Sequence, residues 1–575
     1  KDFGRNTLFT QNVNANYRIP INKFPWTSWV TANAKYIGKY DWQATNPAFV
    51  DSIGHVISNN NTRQINGQLN FVNLYNKSKY LKKINRGNKQ RPRTMNNPKD
   101  TTKVKKPNKN ITPKDIFNQG LRTIMMVRNI SVNYSENNGT FLPGFIGESQ
   151  VMGMDMNKLF APGYEFVLGS QEDLLTKGIQ NNWFNTNTNL ITQQVSKTNR
   201  QNLNTRGTIE PFKRFKINLS GTRTLTTNDN YFYQIDSSIL KKYKKDTRIK
   251  TQQFSISTNT IRTSFSKTNN NSVSSAYQQM LDNRYIIANR LAKQSNEWNG
   301  QYNSSTSFPD GFSGQHDEVL LYSFLSAYQG QDPQNIKLNT PKEPGSTKGF
   351  FPSIPIPDWR FNYTGLKKIP IIKKYFRSFS IGHAYKSTLN INGVQNNSTF
   401  GDTNSLGDFE TNIDFFNVDV SIKETFSPLM KVDMKFHNSI LAKMEVKKSR
   451  TINLKFGGRQ VVENYTWDFI VGGGYTIKDL VIPNVEIKGR KLQSDLNLRI
   501  DISVKSTQLT MITIDGDISP PNGGLITAIK FSGDYKISDK VMARAFYDQT
   551  MNNPYISTSF PSSTSKGGIS IRFTL

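Results

Sequence analysis

Hydrophobic and polar residues alternate along most of this chain, in segments of about 8–14 residues. Successive side chains of a β-strand point to opposite faces, so a period of two predicts strands with one apolar and one polar face. In the first segment Phe9, Val13 and Tyr17 share one face, while Thr10 and Arg18 share the other. The pattern recurs to the last residue and predicts roughly 18–20 antiparallel strands.

The polar face of these strands is rich in amides, hydroxyls and charges, and it stays polar along the full length of each strand. Such a face needs water beside it, which predicts a water-filled lumen. The positions that we expect to face the lumen are Asn12, Asn14, Asn16, Asn33, Lys35, Asn66, Gln68, Asn497, Arg499 and Asp501.

Two further features favour a transmembrane barrel over a soluble β-sandwich, which also alternates. Aromatic residues occur near predicted strand ends, as in the girdles of outer-membrane barrels; examples are Tyr36, Tyr40, Trp42, Tyr465 and Trp467. The chain also finishes in an alternating strand, as is usual for barrels that are assembled in the outer membrane. The apolar positions of this C-terminal assembly strand are Ile569, Ile571, Phe573 and Leu575.

Composition agrees with a wet barrel. Hydrophobic residues make up only 35% of the chain, below the share in a typical globular domain. Aromatic residues reach 11%, which argues against disorder. There is no cysteine, and no apolar run is long enough for a transmembrane helix. The N-terminal residues lack a signal-peptide pattern, so we expect this sequence to be an internal portion of a longer chain.

The predicted organisation is a meander interrupted by long insertions. Residues 1–76 read as barrel strands, 77–120 as a basic, Pro-rich loop, and 121–225 as strands with a long loop insertion. Residues 226–350 combine strands with two amphipathic helices, at about 273–294 and 317–328. Residues 351–575 form the densest part of the meander and include the C-terminal strand. The sequence leaves open whether the insertions lie outside the barrel or narrow its lumen.

A net charge of +32 raises the question of polyanion binding. Much of this charge lies between Lys77 and Lys114, where Asp100 is the only acidic residue. Four prolines and few apolar residues in this run favour a solvated, mobile loop; lipopolysaccharide, cargo or a partner are the alternatives. Nucleic-acid binding is disfavoured, because the basic–aromatic cluster Lys373–Arg377 precedes a strand, as an interfacial anchor does.

Nothing in the sequence supports an enzyme, a metal site or a cofactor. The four histidines are scattered, and His383 lies on a strand where a packed role is favoured. Gly472–Gly474 lies inside a strand without the Lys-Ser/Thr of a phosphate loop, so it indicates a bend or close packing. Asp515–Asp517 predicts a hairpin turn rather than a calcium site.

Several phrases resemble the giant outer-membrane translocon of the type 9 secretion system, the SprA or Sov family. They recur in order over roughly residues 60–575, and the abundance of Asn and Lys fits the Bacteroidota. The phrases are MGMD at 152–155, APGY at 161–164, FLSAY at 324–328, IPIPDWR at 354–360, KKSR at 447–450, ARAFYD at 543–548 and NPYISTSFP at 553–561.

This resemblance implies that the chain is the C-terminal portion of a very large barrel through which folded cargo proteins reach the cell surface. It also implies a link to gliding motility. The implied partners are the remainder of the barrel, a PorV-type outer-membrane barrel, a periplasmic plug protein, secreted cargo, and lipid with lipopolysaccharide. Two alternatives stay open: a porin or plugged uptake barrel for small solutes, and a surface β-rich protein that binds polyanions.

Overall fold

The computed structural model describes residues 4–86, 113–185, 191–236, 242–268, 273–339, 349–397, 402–404, 407–487, 490–538, 540–556 and 559–573. Antiparallel β-strands dominate these residues. The strands are β1 (Leu8–Ile19), β2 (Val30–Gln43), β3 (His55–Asn70), β4 (Val127–Phe145), β5 (Val195–Phe212), β6 (Phe215–Asp236), β7 (Lys242–Ser257), β8 (Asp358–Tyr363), β9 (Phe376–Asn396), β10 (Ile413–Asp414), β11 (Asp419–Phe436), β12 (Ile440–Lys455), β13 (Gln460–Ile487), β14 (Arg490–Thr513), β15 (Asn522–Lys536), β16 (Val541–Pro554) and β17 (Ser562–Phe573).

The described helices lie in the connections between strands. The α-helices are α1 (Val50–Ile53), α2 (Phe71–Lys77), α3 (Lys79–Arg86), α4 (Pro113–Ile124), α5 (Tyr164–Val167), α6 (Leu174–Gln180), α7 (Ser275–Gln294), α8 (Asp317–Gln329) and α9 (Pro370–Tyr375). Single 3₁₀ turns occupy Pro20–Lys23, Pro47–Phe49, Met156–Lys158, Ile261–Thr263 and Gly365–Lys368. Within the described part of the chain, no helix is both long and apolar enough to cross a lipid bilayer.

The strands form one antiparallel meander in which nearly every strand pairs with its neighbours in sequence. β7 and β8 are the exception. Both lie between β6 and β9: β7 pairs with one half of these strands and β8 with the other half. The two-residue β10 pairs with β9 beyond the start of β11. The described strands therefore form a wall of fifteen strand positions side by side.

The two edges of this wall are open in the described residues: β1 pairs only with β2, and β17 only with β16. Every residue of β17 is exposed. Because neighbouring strands alternate in direction over fifteen positions, β1 and β17 run the same way. Direct pairing of these two edges would therefore be parallel, and an all-antiparallel ring needs an odd number of further strands between them.

The connections differ at the two ends of the wall. At the lower end, where β1 and β17 finish, β5 and β6 are joined by two residues and β11 and β12 by three. At the upper end lie the described residues of the long segments 146–194 and 397–418, whereas the described residues of 258–357 leave and re-enter the wall near its middle, next to Ser257 and Asp358. The connection between β3 and β4 is the long exception at the lower end.

Both helices predicted within residues 226–350 are confirmed. α7 begins where the side chain of Ser274 accepts a hydrogen bond from the Tyr277 amide at 3.1 Å. α8 ends at Gly330, whose left-handed φ of 64° suits a residue without a Cβ. Apolar residues of both helices share one core with residues of the strands β7, β9–β12, β13 and β14; the strand members include Ile256, Leu389, Ile422, Leu454, Val461 and Ile512.

The prediction for the basic segment needs correction. Residues 77–120 were expected to form a loop, but Lys79–Arg86 and the start of Pro113–Ile124 are helical. The many charged residues obscured the apolar positions of these helices in the sequence. Tyr75, Ile84 and Met125 pack together beside β4. The remaining residues of this segment, 87–112, lie outside the described residues. The described residues contain seventeen strands, where the alternation predicted roughly 18–20.

Candidate functional site

The ten predicted lumen positions fall on one face of the sheet, here called the polar face. Register links them directly: Asn16 pairs with Lys35, and Asn33 pairs with both Arg18 and Asn66. Asn12 and Asn14 lie on the edge strand β1. On β14, Asn497, Arg499 and Asp501 alternate with apolar residues and therefore share a face. Following the pairs strand by strand carries the same face from β1 to β14.

Amides dominate the polar face from β2 to β5. Asn33, Asn66, Asn133 and Asn204 lie side by side on these four strands. The Asn133 side chain donates to the Asn66 carbonyl oxygen at 2.5 Å, and the amide of Gln64 donates to the same oxygen at 3.1 Å. The row is uncharged, so it holds water without attracting one sign of charge.

Charges of alternating sign dominate the polar face from β11 to β17. One row across these seven strands reads Asp433, Lys443, Gly472, Asp501, Lys530, Asp548, Lys566. Gly472 belongs in this row because a Cβ there would lie 2.2 Å from the Asp501 carboxylate. The glycine therefore provides close packing within a strand, as its position in the sequence predicted.

Neighbouring charges join this row into a network. Lys443 lies 2.9 Å from Glu445, and Lys431 lies 3.0 Å from Asp433. Glu445 also approaches Lys447, at 3.7 Å. Single pairs of this exposed kind contribute little to stability. Together the pairs produce a hydrated surface on which each charge has a neighbour of the opposite sign. Sequence reasoning missed Asp433, Lys443 and Glu445, although the alternation of β11 and β12 contains the signal.

A depression of about 1000 Å³ lies in the polar face between β4 and β11. Among its lining residues are four basic side chains and several hydroxyls: Arg206, Arg360, Lys386, Lys423, Ser131, Ser220 and Thr425. The described ion pairs include none of these four cations. This part of the polar face is therefore basic, in contrast to the balanced rows of β11–β17.

The opposite face, here called the apolar face, is exposed in a band across the wall. On β13 and β14, Val471 and Ile502 pair with each other and remain 55% and 41% exposed. Further large apolar side chains exposed in this band are Phe469, Ile500, Phe531 and Tyr547. Water would not stabilise so continuous an apolar surface, whereas lipid does. The chain is therefore a wall of membrane-crossing antiparallel strands of the outer-membrane β-barrel type.

Aromatic side chains gather at the lower end of this band. Phe212 stacks on Phe215 with ring centres 4.8 Å apart, and Tyr363 meets both rings edge-on. One strand further on, Phe376 packs against Phe436 at 4.5 Å. Aromatic residues collect where a bilayer meets water, so these clusters mark the lower boundary of the lipid-facing band.

The upper aromatics are a correction to the girdle prediction. Tyr40 and Trp42 are fully buried beneath residues 146–185, here called the small insertion. Trp42 Nε1 donates to the Gly147 carbonyl at 3.0 Å, and Tyr40 donates to the Gly153 carbonyl at 3.1 Å. Tyr36 donates to the Leu168 carbonyl at 2.5 Å. The same alternation that predicts a lipid-facing girdle also suits residues covered by another part of the chain.

The described residues of the segment 258–357 cover the upper part of the apolar face between β7 and β14, and we call them the helical cap. The other two girdle candidates, Tyr465 and Trp467, lie beside it. The ring centres of Trp467 and of Phe265 in the cap lie 6.4 Å apart, and the amino group of Lys448 lies over both rings. The open question about the insertions is thus answered for their described residues: both pack on the apolar face, opposite the lumen candidates.

A buried polar cluster fixes the helical cap to the wall. Arg450 Nε lies 3.1 Å from Glu424 Oε1, and both side chains are almost completely buried. Arg450 also donates to the Thr263 carbonyl at 2.6 Å. Glu424 accepts hydrogen bonds from Thr260 at 2.5 Å and from Ser264 at 2.7 Å. The charges of Arg450 and Glu424 would be unstable in contact with lipid. In this structure they bind the backbone and the hydroxyl groups of the cap instead.

Two carboxylates of the upper end show how closely the cap is packed. Burial raises the pKa of Glu318, in the first turn of α8, to about 8. Asp515, in the turn after β14, receives two hydrogen bonds from Arg284 of α7 at 2.7 and 2.8 Å. These bonds lower the pKa of Asp515. The predicted hairpin turn at Asp515–Asp517 is confirmed, and its acidic residue serves an ion pair with the cap.

The C-terminal assembly strand is β17. Ile569, Ile571 and Phe573 lie on the apolar face and are 79%, 57% and 69% exposed. Leu575, the last predicted member of this set, lies outside the described residues. As far as the described part of the chain goes, the strand combines a lipid-facing side with an unpaired edge.

No protein-family model and no curated protein matches the sequence. Three solved structures are similar in part. The ferric-catecholate import receptor Fiu of E. coli K12 has a TM-score of 0.26 and 6% identity, over 96% of this chain and 63% of that one. The Vibrio cholerae outer-membrane protein OmpT has a TM-score of 0.18 and 10% identity, over 66% of this chain and 92% of that one.

The ferric enterobactin receptor PfeA of Pseudomonas aeruginosa has a TM-score of 0.22 and 5% identity, over 100% of this chain and 74% of that one. OmpT is described as an outer-membrane protein and the other two as receptors. This chain spans 63% of the length of the Fiu receptor. TM-scores this low carry no argument. The assignment of the chain to the outer-membrane β-barrel type therefore rests on the two faces of the wall.

Proposed function

We propose that the chain forms part of the wall of a wide outer-membrane channel that conducts folded proteins, the translocon of type 9 secretion. The observation that carries the proposal is the open wall: fifteen strand positions with two free edges that run in the same direction. A ring built on this wall has at least one strand more. Outer-membrane barrels of about 16–18 strands already enclose an aqueous channel.

The placement of the insertions supports a wide lumen. A plugged uptake barrel has a segment folded against its polar, inward face. Here the described residues of the small insertion and the helical cap pack on the apolar face instead. The described residues of these two insertions leave the polar face open to a passing protein.

The chemistry of the polar face suits a passage for folded proteins. Amides and neighbouring charges of opposite sign bind water strongly, so apolar parts of a cargo gain nothing by adhering to them. None of the described residues forms a nucleotide-binding loop that could drive transport. Transport is then passive in this wall, and other components of the system must supply the energy. Its partners are the remaining strands, a PorV-type barrel, a periplasmic plug protein and secreted cargo.

Depletion of the protein in its native cell tests this function. We expect many exported proteins to accumulate together in the periplasm and surface motility to be lost, while uptake of small nutrients stays normal. The measurement is quantitative proteomics of the periplasm and the medium, with growth on limiting iron as the parallel readout. Unchanged export combined with starvation for one nutrient would instead identify an uptake barrel.

A further inference from the structure

A short basic and apolar segment lies at the lower end of the wall, where β8 leads into β9. We call residues 365–377 the interfacial segment; it contains the 3₁₀ turn Gly365–Lys368, helix α9 and the first two residues of β9. Its five cations are all exposed, and none has a described acidic partner within ion-pair distance. They are Lys367, Lys368, Lys373, Lys374 and Arg377.

Large apolar side chains are exposed within the same segment. Ile371 is 72% exposed, Tyr375 54% and Ile369 44%. On a surface bathed only by water, this arrangement would cost free energy. Next to lipid it is stable, because apolar side chains enter the acyl region while the lysine amino groups extend to the headgroups.

Two contacts hold the segment against the lower end of the wall. Gly365 is packed on the Tyr363 ring, where a Cβ would lie 2.4 Å from a ring carbon. Tyr363 belongs to the aromatic cluster that marks the lower membrane boundary. Further along, the His437 ring lies 3.2 Å from the Lys373 carbonyl. The cations therefore lie at the depth where phosphate headgroups are found.

We propose that the interfacial segment binds the phosphate headgroups of anionic glycerophospholipids. Charge complementarity favours an anion, and the exposed isoleucines favour one that comes with acyl chains. A free polyanion or an acidic protein would satisfy Lys373 and Lys374 but would leave Ile371 in water. The leaflet is the periplasmic one, because outer-membrane barrels have their short turns on that side and the lower end carries such turns. The proposal needs only the membrane wall, so it stands independently of protein transport.

The test is lipid retention by the full-length protein in nanodiscs of phosphatidylcholine with a minor fraction of phosphatidylglycerol. Native mass spectrometry counts the lipids that stay bound after release into detergent. We expect phosphatidylglycerol to be enriched on the unaltered protein. The double variant K373Q/K374Q should lose about 25-fold in this preference at low salt, at roughly five-fold per lysine.

Two matched variants separate a headgroup site from a general charge effect. K293Q/K337Q removes two exposed lysines from the helical cap and should keep the enrichment. K373R/K374R keeps the charge and should keep it too. Equal enrichment in K373Q/K374Q, or equal loss in K293Q/K337Q, would overturn the proposal. So would displacement of phosphatidylglycerol by lipopolysaccharide, by RNA or by an acidic protein added at the same concentration.

Discussion

Replacing Arg450 with leucine while Glu424 stays in place should destabilise the attachment of the helical cap by about 3–5 kcal/mol. The change leaves the buried Glu424 carboxylate without its cation and Thr263 without two hydrogen bonds. Hydrogen exchange of α7 and α8 amides measures the effect, because these helices would exchange faster while the strands β13–β17 keep their protection.

The double variant R450L/E424L is the control for this prediction. Removing both charges avoids an unpaired buried carboxylate, so the double variant should hold the cap more firmly than R450L alone. Thr260 and Ser264 lose their acceptor in the double variant, so recovery should be incomplete. If the double variant were less stable than R450L, the ion pair would not be what makes Arg450 necessary.

A lysine in place of Ile502 should cost about 2–4 kcal/mol of barrel stability, because it puts a charge into lipid near the middle of the band. Ser503, the next residue of β14, is the matched control at the same depth on the polar face. A lysine at Ser503 faces water in a row that also contains Glu445, so it should cost little. Urea titration of the folded protein in lipid vesicles measures both.

Equal costs for the two lysines would contradict the assignment of the faces. A larger cost at Ser503 would mean that the polar face is the buried one. Both variants leave the apolar neighbours Val471 and Ile529 in place, so the comparison isolates the environment of one side chain.

The strands could be predicted because their two faces meet different solvents. On β14, Leu498, Ile500 and Ile502 alternate with Arg499 and Asp501, and the observed strand follows that alternation. The two cap helices could be predicted for a related reason. Their apolar residues recur at helical spacing, because one side of each helix enters a shared core.

The side on which an insertion packs could not be predicted from local patterns. Tyr40 and Trp42 continue the apolar alternation of β2 whether lipid or protein covers them. Their burial depends on residues more than a hundred positions away, such as Gly147 and Gly153. The same holds for Arg450, whose charge on an apolar face becomes intelligible only once Thr263 of the cap lies beside it.

The open edges also depend on long-range information. Alternation at Ile569 and Ile571 predicts a strand but does not say whether that strand has one neighbour or two. The register of all pairs from β1 to β17 is needed to show that both edges run in the same direction. Because the two edge strands run in the same direction, we expect further strands between them and therefore a wide ring.

Accessibility of single cysteines in the native outer membrane tests the wide, water-filled lumen most directly. The chain has no cysteine of its own, so each introduced thiol reports one position. Cysteines replacing Asn66 and Asp501 should react with a small impermeant maleimide and with a bulky polymer maleimide. Cysteines replacing Val132 and Ile502 should react with neither. Labelling of the second pair would contradict the assignment of the faces, and exclusion of the bulky reagent from the first pair would contradict a passage wide enough for folded proteins.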